Sequence, residues 1–165
     1  MRSLFFIALC WIATLPLRAE VPLPAFAIYH TVDATTPNAQ AFSYRSTDGK
    51  QDITGWFIAP PLVKPGDVYD IHATTVEYGS APCPGLSARL TNSGNNALQK
   101  IPTKEEGAHY LIVVGGKPVE QIGGGELKKV GTMRLRLLIT LPLNSGELNE
   151  TLAKRVTEAT KASRR

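Results

Sequence analysis

The stretch "VVGGKPVEQIGGGEL", residues 113 to 127, packs five glycines and a lysine into fifteen positions, which raises the chemistry of a phosphate cradle. A nucleotide-binding P-loop needs Gly-Lys followed by Ser or Thr, so that a hydroxyl reaches magnesium while a helix start faces the phosphate. Here Gly116-Lys117 is followed by Pro118. A dinucleotide fingerprint needs glycines spaced through a strand-to-helix turn, whereas Gly123, Gly124 and Gly125 are consecutive. "ELKKVG" after them reads as too short for a crossover helix. Gly115-Gly116 between two apolar runs is instead a two-residue hairpin signal. Both glycine clusters therefore read as turns, and no nucleotide is expected to bind.

The remaining reactive residue types are scattered. His30, His72 and His109 show no paired-ligand spacing, and no Gly-x-Ser-x-Gly elbow occurs. Asp67 and Asp70 could coordinate a cation, but a local cap or turn role is the expected one. Glu105-Glu106 reads as a solvated helix end. Cys83 lies in "SAPCPG" between two prolines, a turn signal. It reads as a turn thiol, with a nucleophile and an intermolecular bridge as the other two readings. No catalytic residue, metal site or cofactor is assigned.

These residues sit among short strands and a few helical patterns. "AFAIYHTV" (25–32) reads as a strand, and "FSYRSTDGKQDITGWFIA" (42–59) as a hairpin turning at Asp48-Gly49. "PPLVKPGD" reads as a break with one helical turn after Lys64. "DIHATTVEYG" and "GLSARLT" are β-branched strands joined by the Pro-Cys-Pro-Gly turn. Asn92 or Ser93 caps a helix that buries Ala97, Leu98 and Ile101 and ends at Pro102. "AHYLIVV" and "KPVEQI" are strands. "TMRLRLLITL" alternates, with Met133, Leu135 and Leu137 inward and Arg134 and Arg136 outward. A last helix opens at Asn144 or Ser145 and carries an apolar stripe of Leu148, Leu152, Val156 and Ala159, before a frayed "KASRR" tail. The sum is an α+β domain, a mostly antiparallel or mixed sheet of about five strands with two helices on one face.

The chain of 165 residues is one domain's worth. Its N-terminus has a basic Arg2, an uncharged apolar run from Leu4 to Leu15, and Leu17-Arg18-Ala19 where signal peptidase cuts. That run is too short for a bilayer, which takes about 20 residues. Leu9 before Cys10 disfavours a lipoprotein anchor. Residues 1–19 are therefore expected to be a signal peptide, 20–25 a linker, 26–160 one domain and 161–165 a basic tail. The protein is expected to be periplasmic or secreted and soluble after cleavage. Losing Arg2 and Arg18 lowers the net charge from +4 to +2, and no basic stripe is present, so nucleic acid is not an expected partner. Cys83 is then the only cysteine, so no internal disulfide forms.

The stretches "LTNSG" (90–94), "TKEEG" (103–107), "LIVV" (111–114) and "GGKPV" (115–119) resemble the first periplasmic head subdomain of the SecD and SecDF protein-export family. "IYHTVD" (28–33) and "GWFIAPPLVKPGDVYD" (55–70) resemble its preceding strands, and "NSGELNETLAKRV" (144–156) its closing helix. The likeness covers roughly 26–160. Pro102 and the Gly123–Gly125 run depart from the family pattern, as does the lack of transmembrane helices. The resemblance implies a head-like fold and contact with exported polypeptides or an envelope partner, and supplies no catalytic residues. It makes a non-catalytic interaction module, binding extended chains at open strand edges, the leading expectation. A small periplasmic enzyme using Cys83 or a histidine–carboxylate pair is the alternative.

Overall fold

Two strands carry apolar residues at successive rather than alternate positions, and each is buried on both faces. In β1 (Phe26–Val32) Phe26, Ala27, Ile28 and Tyr29 are all buried, and in β6 (His109–Val114) so are Tyr110 to Val114. Successive side chains of a strand point to opposite faces, so both strands must lie inside the fold. They pair antiparallel, Phe26 opposite Val114 and His30 opposite Tyr110. The computed structural model describes residues 22–78, 81–105, 107–141 and 149–164. The expected signal peptide and the expected helix start at Asn144 or Ser145 lie outside them.

β1 and β6 are the centre of a five-stranded sheet ordered β2-β3-β1-β6-β7, with β2 at Gln40–Arg45, β3 at Asp52–Val63 and β7 at Lys117–Gly123. This sheet curls until β2 meets β7. Inside the curl Ala27, Tyr29, Phe42, Phe57, Leu111 and Val113 form a small core. Phe57 meets Tyr29 with ring centres 4.6 Å apart and Phe42 at 6.4 Å. The other face of the sheet joins the main core, through Phe26, Ile28, Ile112, Val114 and Ile122.

A second sheet closes that main core. It is ordered β4-β5-β8, from β4 (Val68–Tyr78), β5 (Ala81–Leu90) and β8 (Leu137–Thr140), all antiparallel. Its inner residues Ile71, Leu86, Ala88, Leu137 and Ile139 pack with residues of α1 (Asn92–Gln99), α2 (Gly124–Met133) and α3 (Asn149–Ala162). The α+β class is borne out, but the described residues form eight strands in two antiparallel sheets and three helices. The single sheet with two helices expected from the sequence is too simple.

Several local readings change with it. Thr91, not Asn92 or Ser93, caps α1, its hydroxyl oxygen accepting from Gly94 N. β3 runs through Pro60 and Pro61 to Val63 where a break was expected, and the helical turn after Lys64 is present at Pro65–Asp67. Cys83 lies within β5 opposite Val76, not in a turn, and is only 4% exposed. Gly124 and Gly125 open α2, which continues to Met133 and stops at Arg134 in the left-handed conformation (φ 52°). Met133 and Leu135 are therefore exposed, at 61% and 46%, because the strand begins only at Leu137. The tail is not frayed at Arg164, whose Nη2 donates to Tyr69 O at 3.2 Å. Among the described residues no helix is long and apolar enough to cross a membrane.

Candidate functional site

The histidines and acids expected to be scattered are partly brought together, in two places. The first arises where β3 bulges away from β1. Ile28 faces Val63 and His30 faces Ile58, so four residues of β3 stand opposite Tyr29 alone. Prolines, which cannot donate to a strand ladder, suit such a bulge. The displaced residues leave an open groove of about 220 Å³ lined by Ile58, Ala59, Pro60, Leu62, His30, Tyr110 and Glu105. His30 stacks on Tyr110 with ring centres 5.0 Å apart. The Tyr110 hydroxyl donates to Glu105 Oε2 at 3.3 Å, so Glu105 is engaged and not merely a solvated helix end.

This groove is polar at one end, where His30, Tyr110 and Glu105 meet. Burial, then the negative charge of Glu105 and the hydrogen bond to it, push the Tyr110 phenol up to about 12. Such a phenol stays protonated at neutral pH and acts as a donor, not a base. No serine or cysteine lines the groove. His109 opens β6, where its carbonyl accepts from Thr31 Oγ1 at 2.7 Å, and His72 lies on the other sheet. Among the described residues no group of three His, Cys, Asp or Glu could hold a metal ion. Asp67 does have the local role read from its spacing, its Oδ2 accepting from Lys64 N at 3.1 Å.

The glycine run is a strand-to-helix junction after all, yet its helix start is occupied. Gly124 N donates to Ala108 O at 2.8 Å. A side chain at Gly124 would collide with the Glu105 carbonyl, so close packing requires the glycine. Glu126 adds a negative charge in the first turn, which repels a phosphate. Gly115 and Gly116, with φ of 61° and 80°, form the expected hairpin turn.

The second place is the outer face of the three-stranded sheet. Asp70 and His72 on β4, Ser87 and Arg89 on β5, and Leu138 on β8 share it by register. Asp70 Oδ1 is 2.9 Å from Arg136 Nη1 and 3.3 Å from His72 Nε2, and Arg136 also reaches Ser87 O at 3.5 Å. Tyr69 sits at the irregularity between Val68 and Asp70. The guanidinium carbons of Arg89 and Arg164 lie 5.1 and 5.5 Å from its ring centre. Tyr69 and Leu138 are 53% and 54% exposed. Sequence reasoning placed Arg136 outward but missed Leu138, because "LLITL" is apolar at both parities. It also missed Tyr69, whose position depends on the local irregularity and on α3 folding back.

Each edge of this sheet is engaged at part of its outward-facing backbone, at Tyr69 and Ile71 on β4 and at Thr140 on β8. Ile71 N donates to Thr157 Oγ1 at 3.2 Å, and that hydroxyl donates to Ile71 O at 3.0 Å. On the opposite edge Thr140 N donates to Glu120 Oε2 of β7 at 3.0 Å. Burial pushes Glu120 up to about 7, against the lowering effect of the Thr140 hydrogen bonds and with a small raising effect of Glu126. No family model, characterised protein or solved structure shows significant similarity to this chain.

Proposed function

We propose that this chain is an exported, non-catalytic protein-interaction module that docks through the outer face of its three-stranded sheet. One observation carries the reading. Of the large hydrophobic side chains exposed among the described residues, Tyr69 and Leu138 lie on this face, Leu135 on the connection leading into it and Met133 at the end of α2. Exposed apolar groups clustered among polar ones mark interaction surfaces. The signal-like residues 1–19 support export, and the resemblance to the SecD/SecDF head supports contact with an exported polypeptide or envelope component. Strand addition has less edge to use than the sequence suggested, since Thr157, Arg164 and Glu120 already bond to parts of the edges of β4 and β8.

The test is recovery of partners from an envelope extract on immobilised protein lacking residues 1–19, beside Leu138→Asp and Tyr69→Ser variants that melt normally. A discrete partner lost with both variants supports the face. The same partner retained by both removes it. The alternative, a small enzyme, draws on His30 and Glu105 in the groove rather than on the buried Cys83. Saturable binding of a small molecule that Glu105→Gln abolishes is the result that favours it.

A further inference from the structure

We infer that the docking face takes an acidic protein partner, one that presents carboxylates to Arg89, Arg136 and Arg164 around an apolar contact on Tyr69 and Leu138. The inference deepens the reading above and rests on it. Three arginines are held here by two neighbouring sets of contacts, Arg136 on Asp70 and Arg89 with Arg164 on Tyr69, and Asp70 is the only carboxylate in either set among the described residues. Asp70 is shared between Arg136 and His72, and among the described residues no carboxylate lies within ion-pair distance of Arg89 or Arg164.

The two remaining guanidinium groups are held without being neutralised. Arg89 and Arg164 both lie against the Tyr69 ring, and Arg164 spends one nitrogen on the Tyr69 carbonyl. A cation over a ring keeps most of its five N–H donors available. Guanidinium geometry matches a carboxylate with two parallel hydrogen bonds. Tyr69, with both cations against its ring, presents an apolar group beside them.

The residue types favour a protein over a lipid or nucleic-acid surface. Arginine, tyrosine and methionine are the types enriched in protein interfaces, while lysine is depleted there. The network on this face contains arginine and no lysine. An anionic membrane surface attracts lysine as well as arginine and is read by clusters of about four to eight of them.

The probes are a synthetic peptide of alternating glutamate and leucine, its lysine–leucine counterpart, and vesicles of anionic phospholipid. Each is titrated into the protein lacking residues 1–19, at low and high salt. The expected result is saturable binding of the acidic peptide alone, weakened roughly tenfold by Arg89→Gln with Arg164→Gln, the scale of one charge-assisted hydrogen bond. High salt and Leu138→Ser should each weaken it as well. Equal binding of both peptides, lost with Leu138→Ser but unaffected by salt and by the arginine changes, overturns the acidic partner and leaves the docking face standing. Acidic-peptide binding indifferent to all three substitutions overturns the face itself. Binding to the vesicles alone, or no saturable binding of the acidic peptide, overturns the inference.

Discussion

The two sheets of this domain treat their faces differently. The five-stranded sheet buries both faces of its central strands β1 and β6, one against the main core and one within its own curl around Phe42 and Phe57. The three-stranded sheet buries one face and leaves on the other Tyr69, Leu138 and three arginines. A sheet with two buried faces serves stability, since each large side chain removed from water contributes about 1.5–3 kcal/mol. A sheet that leaves apolar groups in water forgoes that gain, which makes sense where something else covers them. The groove beside His30 is a place where the curled sheet opens, and there a protonated phenol lies beside an imidazole and a carboxylate.

The sharpest way to break this contrast is to delete side chains from each sheet. Phe57→Ala, in the curled sheet, should cost roughly 3–5 kcal/mol, the range for a buried aromatic, measured by urea unfolding. A loss under about 1 kcal/mol would mean the curl is not a packed core. Next comes the junction between the sheets at Glu120. Its pKa is raised in the folded state to about 7 from the ordinary 4.5. The folded protein therefore holds this proton more tightly than the unfolded chain does. The resulting stability is full below about pH 4.5, is lost as pH rises through about 7, and amounts to roughly 3 kcal/mol at most. Unfolding measured from pH 5 to pH 8 should show that decline, and Glu120→Gln should flatten it. A decline of equal size in the variant would assign it to other groups.

Smaller effects follow. Cys83→Ser places a hydroxyl where a buried thiol packed, so a loss of about 1–3 kcal/mol is expected, with the wild-type thiol slow to react with a thiol reagent until the protein unfolds. Fast labelling of the folded protein would contradict the burial. Leu138→Ser should change stability by less than about 0.5 kcal/mol, as surface substitutions do. A large loss there would show that Leu138 belongs to the core and that the two sheets do not differ as described.

Much of the scaffold was legible from local chemistry. Strands whose patterns are flanked by turn residues, such as Asp48-Gly49 and Gly115-Gly116, emerged where expected, as did the end of α1 before Pro102. The errors came from tertiary context overriding a local signal. Pro82 and Pro84 read as a turn, yet β5 runs through both, paired with β4 on one side. The Gly123–Gly125 run read as a turn because its glycines are consecutive and "ELKKVG" looked too short for a crossover helix, yet packing against Glu105 and Tyr110 demands a glycine at Gly124, the start of α2. That helix consumed Met133, and so turned an expected inward strand residue into an exposed one. The docking face was the least legible part. It depends on which side of β4, β5 and β8 the helices leave open, and on Arg164 returning to Tyr69 across most of the domain.

The central claim is that the outer face of the three-stranded sheet is where this protein meets its partner. The most direct measurement replaces Leu138 by a photo-reactive amino acid in the living host and, separately, Lys154, an exposed residue of α3. Illumination should give a discrete protein adduct from position 138 that Arg89→Gln with Arg164→Gln diminishes, and none from position 154. No adduct from position 138, or the same adducts from both positions, would contradict the account.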